Sequence, residues 1–312
     1  MTTLPRHDAL TPVDFATRFE ILRPLAQGSA GEVSLARDQA EGDVCCIKAL
    51  DAGADGLLEQ RFLAECSVLV ALECPFIVPV RAFGVDKEAG TLWYAMDRMA
   101  GSLYGRFRQH GPADPVQVAR WMVQALAGLE VLHRRGVVHR DVKPANLLLD
   151  HDSNVKLADL GLARHPTGSV PFRTQHDRGI GTPEYAAPEL FRDAATADPR
   201  ADLYGIAACF YELTTGEAPA RFVLHPVDPE ILAPVEPAFV GVLQWLGASK
   251  PEHRAPDARA AAEVMARAAD EVARARGDEP EGASWMSAFE EAAPPLGLSA
   301  WMSARLWHWG LR

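Results

Sequence analysis

The chain of 312 residues is 48% hydrophobic and 23% charged, an ordinary balance for a folded globular protein with one large domain or two smaller ones. Its formal net charge of −11 argues against a general nucleic-acid binder, because affinity for phosphate backbones comes mainly from clustered Lys and Arg. No run of about 18 apolar residues occurs, so we expect no membrane span, and the first 15 residues lack the apolar core of a signal peptide.

The cysteines indicate a reducing compartment. The chain has five, an odd number, and no two of them have the spacing of zinc ligands. We interpret them as small, buried, apolar side chains: Cys45, Cys46, Cys66, Cys74 and Cys209. The predicted location is therefore the cytoplasm, with no nucleic-acid or membrane partner.

The first part of the chain has mostly the patterns of β-strands. After a loose leader at residues 1–17, two strands at 18–26 and 32–38 are joined by the Gly-rich sequence QGSAG. Such a join can bring backbone N–H groups close to a phosphate, although a hairpin turn is its ordinary interpretation when it is taken alone. The next strand, at 43–50, carries Lys48 between apolar residues, and a lone lysine on a strand is usually a solvated side chain.

One helix is predicted among these strands. Residues 57–72 place apolar side chains at helical spacing, with Glu65 in the middle of the helix. Glu65 is the candidate acidic partner for Lys48. Glu59 is the competing candidate, but an acid near a helix start is already explained by the helix dipole. Two further strands follow, at 76–84 and 91–96.

A polar stretch between apolar supports follows the helical pattern of 115–135. It reads VVHRDVKPANLLLD, from Val137 to Asp150, and contains Asp141, Lys143 and Asn146. The apolar residues at both ends would anchor it in a core. The polar side chains would then lie on a loop held by rigid elements, where reacting groups are commonly placed. A merely solvated polar loop is the alternative interpretation.

Three motifs together resemble the protein kinase family. The His-Arg-Asp of this stretch, followed after four residues by Asn146, resembles the family's catalytic loop. A DLG sequence that begins at Asp159, 18 residues after Asp141, is similar to the Asp-Phe-Gly turn, with leucine in place of the aromatic residue. The sequence GTPEYAAPE at 181–189 resembles the end of the activation segment.

The resemblance implies an α+β fold with two lobes. The N-lobe, at 18–99, would be small and β-rich with one regulatory helix. The C-lobe, at 100–276, would be larger and mainly helical. Residues 1–17 would be an N-terminal leader, and 277–312 a Trp-rich C-terminal tail.

The resemblance also implies an ATP site between the lobes. The QGSAG join is similar to the Gly-rich loop, with Ala26 where the first glycine is usual. Cys46 replaces a small alanine that lies against adenine, and the backbone of Asp97 to Met99 fits the linker that binds adenine. The residues implied to bind ATP are Ala26, Gly28, Gly31, Val33, Cys46, Lys48, Met96, Asp97, Met99 and Leu148.

Catalytic roles follow from the same resemblance. Lys48, fixed by Glu65, would hold the α- and β-phosphates of ATP. Asn146 and Asp159 would bind Mg²⁺, with Mn²⁺ as an alternative ion. Asp141 would orient the substrate hydroxyl and accept its proton.

The implied activity is that of an ATP-dependent serine/threonine protein kinase acting on protein substrates. Lys143 would reach the transferred phosphate, and in this family a lysine at that position points to Ser/Thr rather than Tyr. A pseudokinase scaffold that binds nucleotide and partners is one alternative, supported by Ala26, Cys46 and Leu160. A small-molecule kinase of related fold is the other, and Lys143 together with GTPEYAAPE argues against it.

Arg140 suggests regulation by autophosphorylation. A guanidinium before the catalytic aspartate can pair with a phosphate on the activation segment and order it. Thr174 is the best candidate for that phosphate, with Thr167 and Ser169 after it. Four residues are given structural roles instead: Thr182, Glu189, Asp202 and Arg254.

The C-terminal tail lies outside the kinase resemblance. It contains four of the seven tryptophans, Trp285, Trp301, Trp307 and Trp309. One interpretation is a tail packed on its own C-lobe. The other is a docking segment for a partner or a second copy, since exposed aromatic patches often mark interfaces.

Overall fold

The computed structural model describes residues 15–28, 31–51, 56–86, 90–159, 184–191, 198–219 and 228–294. The fold is α+β, with a β-rich N-lobe that ends at Asp97 and a mainly helical C-lobe after it. Within these ranges, no helix combines the length and the apolar character needed to cross a membrane.

Five antiparallel strands form the sheet of the N-lobe, in the order β1-β2-β3-β5-β4. The predicted strands agree with the observed ones to within two residues, except for the fourth. The strands are β1 (Phe19–Gly28), β2 (Gly31–Asp38), β3 (Asp43–Asp51), β4 (Val80–Asp86) and β5 (Thr91–Asp97).

The outer face of this sheet is covered by aromatic side chains. A helical turn, α1 (Phe15–Arg18), places Phe15 against Trp93, with ring centroids 5.1 Å apart, and against Phe19 at 5.9 Å. Beneath them lie the small buried residues Ala36, Cys45, Ala82 and Ala95. Phe15, which falls inside the leader predicted for residues 1–17, is therefore packed on the sheet.

The inner face of the sheet packs against helix α2 (Gly56–Val70). Phe62 and Cys66 on this helix are fully buried, and Leu69 is nearly so. They are part of a continuous apolar core that extends into the C-lobe. This helix fits the prediction for 57–72.

The segment predicted as the start of the fourth strand belongs to a different pairing. Leu157 ends β8 (Val155–Leu157), and its N–H donates to the Phe76 carbonyl at 2.9 Å. Val78 N–H donates to the Leu157 carbonyl, also at 2.9 Å. In place of the predicted strand, Phe76 lies in a turn and Ile77 forms an isolated bridge with Leu157 of the C-lobe, so β4 begins only at Val80.

The C-lobe is built around the buried helix α4. Val116 N–H donates to the Asp114 side chain at 2.9 Å, so the helix begins with a capping aspartate followed by Pro115. The helices are α3 (Leu103–His110), α4 (Pro115–His133), α5 (Arg200–Thr215), α6 (Pro229–Leu232), α7 (Pro237–Leu246), α8 (Ala258–Arg276) and α9 (Gly282–Ala292). A small sheet consists of β6 (Gly101–Ser102), β7 (Leu147–Leu149) and β8.

Helix α9, in the predicted tail, packs against α4 and α8. Phe289 is fully buried, and the guanidinium of Arg259 lies 5.2 Å from the centre of its ring. Trp285 is 9% exposed, and Gly282 N–H donates to the Asp270 carboxylate at 2.7 Å. Trp301, Trp307 and Trp309 lie outside the described residues.

Arg254, which is buried, and Glu189, which is partly buried, form an ion pair in the C-lobe. Their two parallel hydrogen bonds are 2.6 and 2.8 Å long, and Arg254 also donates to the Ala248 carbonyl at 2.6 Å. Replacing Arg254 leaves a partly buried carboxylate and a carbonyl without their hydrogen-bond donor. Arg254→Met is therefore expected to lower the free energy of unfolding by about 3–5 kcal/mol, as measured by urea titration. Arg276→Met, which breaks a surface pair with Asp114, is the control and should cost less than about 1 kcal/mol. Equal losses would contradict this account.

Candidate active site

Asp202 on α5 holds the loop at residues 137–146, which we call the central loop. Its carboxylate accepts hydrogen bonds from the N–H groups of His139 at 2.9 Å and Arg140 at 2.7 Å, and it lies 2.7 Å from Nε2 of His133. Burial alone would raise the pKa of Asp202, but the hydrogen bond and charge of His133, with the N–H of His139, hold this pKa below its ordinary value. Asp202 is therefore a buried, charged carboxylate that binds the backbone of the central loop.

The backbone at the site is held in an unusual conformation. Arg140 has φ of 63° and Asp159 has φ of 60°, in the left-handed region that costs non-glycine residues of order 1–3 kcal/mol. The N–H of Arg140 is one of the two that Asp202 accepts. Such strain persists only where the surroundings fix the backbone, so the positions of both residues are determined by their contacts.

His139 connects the central loop to the segment that carries Asp159. It is fully buried, with Nε2 3.0 Å from the Ala158 carbonyl and Nδ1 3.3 Å from the Asp141 N–H. The carbonyl must accept and the N–H must donate, so the geometry assigns the proton to Nε2. Both ring nitrogens are thus engaged in positioning the loop.

Asp141, Lys143 and Asn146 contact one another on the central loop. Nζ of Lys143 lies 3.0 Å from the Asp141 carboxylate. Nδ2 of Asn146 donates both to the Asp141 carbonyl at 2.8 Å and to its carboxylate at 3.1 Å. Ala158 N–H donates to the Asn146 carbonyl at 2.9 Å, which brings Asp159 beside Asn146.

Lys48 reaches this group from the opposite lobe. It is only 6% exposed although it is a lysine on a strand, and its ammonium group contacts the carboxylate of Asp159. A lysine so deeply buried is rare unless it is paired. Eight polar or charged residues are buried in the described ranges, and four of them belong to the central loop or contact it or the Asp159 segment: Lys48, His139, Asn146 and Asp202.

The residues implied to bind ATP lie along β1, β2, β3 and β5, and on β7. Gly28 is opposite Gly31, which has φ of 113° and where an added Cβ would lie 2.1 Å from the Ala49 carbonyl oxygen, so only glycine fits. Cys46 is opposite Met96 and is nearly buried, and burial raises the pKa of its thiol. The remaining residues of this set are Ala26 and Val33 near the β1–β2 turn, Asp97 and Met99 at the exit of β5, and Leu148 on β7.

A small cavity lies behind Met96. Leu69 of α2, Tyr94, Met96 and Asp159 line it together. Tyr94 is opposite Lys48 in the sheet and is 3% exposed, and its burial raises the pKa of its hydroxyl well above the ordinary value. The phenol therefore stays neutral beside the Lys48–Asp159 pair.

Some predicted residues lie outside what the structure describes. The backbone of Glu65 is part of α2, but its side chain is not described, so its pairing with Lys48 stays a prediction. The same holds for the activation-segment residues Thr167, Ser169, Thr174 and Thr182.

The sequence analysis missed two residues that contact the site. His133 belongs to the helical pattern of 115–135, which gives it no separate role, yet it contacts Asp202. Tyr94 belongs to an apolar strand, yet it lines the cavity next to Asp159. The hydroxyl of Tyr94 is a signal, because a buried hydroxyl usually requires a partner. His133 gives no such signal, because its helix carries several other polar side chains.

Gly205 on α5 lets the central loop approach the helix. An added Cβ would lie 2.8 Å from Cβ of Val142 and 2.9 Å from its carbonyl oxygen. We expect Gly205→Ala to destabilise the protein by about 1–3 kcal/mol through overpacking. Gly241 on α7 has open space around it, so the control Gly241→Ala should instead stabilise by up to about 1 kcal/mol. Thermal unfolding of both variants measures this, and a stabilised Gly205→Ala would contradict the close approach.

Known proteins resemble this chain over most of its length. The family model described as the protein kinase domain matches residues 19–225. The DNA damage-responsive serine/threonine-protein kinase RqkA of Deinococcus radiodurans is 30% identical over 88% of this chain and 45% of its own length. The serine/threonine-protein kinase PkaA of Streptomyces coelicolor is 34% identical over 84% of this chain and 51% of its own length.

A solved structure is similar over almost its full length. The crystal structure of the PknI kinase domain of Mycobacterium tuberculosis, a cysteine-to-alanine variant, superposes with a TM-score of 0.64 at 31% identity. The match covers 82% of this chain and 97% of that one. The chain thus spans most of a solved kinase domain, but only about a third to a half of the curated relatives it matches.

Proposed function

The chain belongs to the protein kinase domain family, and we propose that it transfers the γ-phosphate of ATP to serine and threonine hydroxyl groups of proteins. One observation carries the proposal. Five polar side chains from three distant segments form two contacting groups, and the backbone hydrogen bond from Ala158 N–H to the Asn146 carbonyl joins the two groups. Only two of the three segments are in the same lobe. The five side chains are Lys48 on β3, Asp141, Lys143 and Asn146 on the central loop, and Asp159 after β8.

Asn146 and Asp159 have the chemistry that a magnesium ion requires. Carboxylate and amide oxygens are its preferred protein ligands. The backbone hydrogen bond between Asn146 and Ala158, the residue before Asp159, supports a site that both residues share. The amide nitrogen of Asn146 is engaged by Asp141, so its amide oxygen is the atom that could serve as a ligand. Magnesium, when held by these residues, would supply positive charge that offsets the negative charge developing on the transferred phosphate.

Lys48 is suited to hold the phosphates of the nucleotide. Its ammonium group contacts Asp159, so it lies next to the proposed metal ligands. Its stem is buried in the sheet, which limits the positions that the charge can take. Catalysis of phosphate transfer depends mainly on such positioning.

Asp141 is suited to orient the acceptor hydroxyl and to accept its proton. Asn146 and the backbone held by Asp202 fix its position. Lys143, 3.0 Å away, would move with the same loop and place positive charge beside the transferred phosphate. That lysine and the names of the relatives support serine and threonine as acceptors.

Transfer of radiolabel tests the proposal. The purified chain, given γ-labelled ATP, Mg²⁺ and a casein mixture, should label serine and threonine in phosphoamino-acid analysis, and Lys48→Met should not. Mn²⁺ should replace Mg²⁺ at least in part. Wild-type protein that binds ATP but labels nothing would support the alternative, a pseudokinase scaffold, and label on tyrosine would contradict the acceptor class.

Autophosphorylation of the activation segment is part of the proposal. Arg140 is fixed by Asp202 immediately before Asp141, so its guanidinium is suited to pair with a phosphate on a neighbouring segment. We expect Thr174 to carry that phosphate after incubation with ATP and Mg²⁺, ahead of Ser169 and Thr167. Mass spectrometry that finds phosphate only outside 164–182 would contradict this.

We further propose a cytoplasmic protein whose kinase domain occupies 18–276, between a leader at 1–17 and a tail at 277–312. All five cysteines lie in the described ranges and are buried, and none of them forms a disulfide bond, which supports a reducing compartment. The packing of α9 on α4 and α8 supports a tail that begins as part of the C-lobe. Docking of a partner or a second copy would then involve the rest of 283–312.

A further inference from the structure

Arg81 is the extra residue of a β-bulge. Val80 of β4 is opposite Met96 of β5 and Ala82 is opposite Ala95, so Arg81 has no residue opposite it. A bulge bends its strand and redirects the side chain of the extra residue, and bulges are frequent beside active sites. Here the redirected side chain reaches the ends of two neighbouring strands.

The guanidinium of Arg81 joins two carboxylates. Nε donates to Asp97 at 2.6 Å, and the two terminal nitrogens bind Asp43 side by side, Nη2 at 2.9 Å. Arg81 is 14% exposed, whereas Asp97 is 31% and Asp43 is 53% exposed. A planar guanidinium with three such bonds has little freedom to turn, so it fixes the start of β3 relative to the end of β5.

A second arginine completes this cluster from the other side. Arg18 binds the fully buried carboxylate of Asp38 with two bonds of 2.9 and 3.0 Å, and Nη1 of Arg81 lies 3.9 Å from the same carboxylate. Asp38 and Asp43 are directly opposite each other in the sheet, where like charges repel. Asp38, Asp43 and Asp97 thus share two guanidinium groups, and Glu41 lies 3.9 Å from that of Arg18. Among the described residues, the ion pair of Asp97 is with Arg81.

Asp97 is where the sheet ends and the linker between the lobes begins. Its N–H donates to the Pro79 carbonyl at 3.1 Å, and Met96 before it lines the cavity beside Asp159. In the proposed function, the backbone of residues 97–99 binds the nucleobase. Hydrogen bonds of that kind require a backbone held to a fraction of an ångström.

We propose that Arg81 is a positioning residue that fixes the linker backbone through Asp97 and thereby sets the preference for adenine over guanine nucleotides. This inference rests on the proposed function. Adenine presents a donor at its 6-amino group and an acceptor at N1, whereas guanine presents an acceptor at O6 and a donor at N1. A backbone held in one place matches only one of these patterns, and a displaced backbone loses the discrimination.

Equilibrium binding to the full chain tests the proposal without turnover. Dissociation constants for ADP and GDP are measured by calorimetry on the wild type and on Arg81→Gln. We expect the dissociation constant of ADP to rise about tenfold in Arg81→Gln and that of GDP to change far less. The GDP/ADP ratio, which is the dissociation constant of GDP divided by that of ADP, should therefore fall at least about fivefold. Partial unfolding would weaken both nucleotides equally and leave that ratio unchanged.

Two further variants separate positioning from stability. Arg18→Lys weakens the other half of the cluster but leaves the Arg81–Asp97 contact, so its ratio should equal the wild-type ratio. Arg81→Lys keeps the charge but lacks the fork of the guanidinium, so its ratio should be intermediate, and it is the variant to use if Arg81→Gln does not fold. If the Arg81 variants keep the wild-type ratio, or if the ratio falls equally in Arg18→Lys, the inference about Arg81 is overturned but the proposed function is not. A wild type that binds neither nucleotide overturns the proposed function as well.

Discussion

Asp141→Asn is expected to reduce phosphate transfer by a factor of about 10²–10⁴, the usual contribution of a positioned proton acceptor. Asparagine has nearly the shape of aspartate and can keep the hydrogen bond from Asn146, but it cannot accept the proton of the substrate hydroxyl. It also loses the charge that pairs with Lys143. Initial rates of label transfer measure the effect, together with ADP affinity and thermal unfolding, which should change little.

The matched control for this variant is Asp152→Asn. Asp152 lies in the exposed turn between β7 and β8, so the same chemical change there should leave the rate within a factor of about two of the wild type. An Asp141→Asn protein that keeps more than about a tenth of the wild-type rate would contradict the proton-accepting role.

Asp202→Ala is expected to give the second large effect, a loss of about 3–5 kcal/mol in the free energy of unfolding. Three groups lose their acceptor at once: His133 and the N–H groups of His139 and Arg140. The strained backbone at Arg140 also loses one of the contacts that fix it. Urea titration measures the loss, and hydrogen exchange at residues 137–146 should accelerate in the same variant.

The pH dependence of stability separates the charge of Asp202 from its shape. Its pKa in the folded protein is below the ordinary value of 3.8, so the unfolded state binds more protons in acid. The stability that this group contributes is present above about pH 4 and is lost as the pH falls through the lowered pKa. Asp202→Asn should therefore lower stability at pH 7 and flatten the decline below pH 4. A decline equal to that of the wild type would contradict a charged Asp202.

The central loop was the part of the site most accessible from sequence. Asp141, Lys143 and Asn146 lie within six residues, so their local spacing already limits their relative positions. Lys48 was also identifiable, because its apolar neighbours indicate a buried strand, and a lysine in such a strand needs a partner. The contact between Lys48 and Asp159 spans 111 positions and depends on how the two lobes meet, which no local pattern determines.

Register and tertiary partners account for what could not be predicted. The bulge at Arg81 exists only because β4 pairs with β5 in one register, and that register depends on both strands. Residues 76–78 have a strand sequence, but they pair with β8 of the C-lobe. The imidazole of His133 contacts Asp202, 69 positions away. Asp202 was assigned a structural role from sequence, but no local pattern identifies His133 as its partner.

The position of a bound divalent cation tests the central claim most directly. A crystal of the full chain with Mn²⁺ and a non-hydrolysable ATP analogue should show an anomalous peak within about 2.2 Å of the Asn146 amide oxygen and an Asp159 carboxylate oxygen. Lys48 should then contact phosphate oxygens, with Asp141 facing the terminal phosphate. A cation bound elsewhere, or a nucleotide outside the cleft between Lys48 and the central loop, would contradict the account.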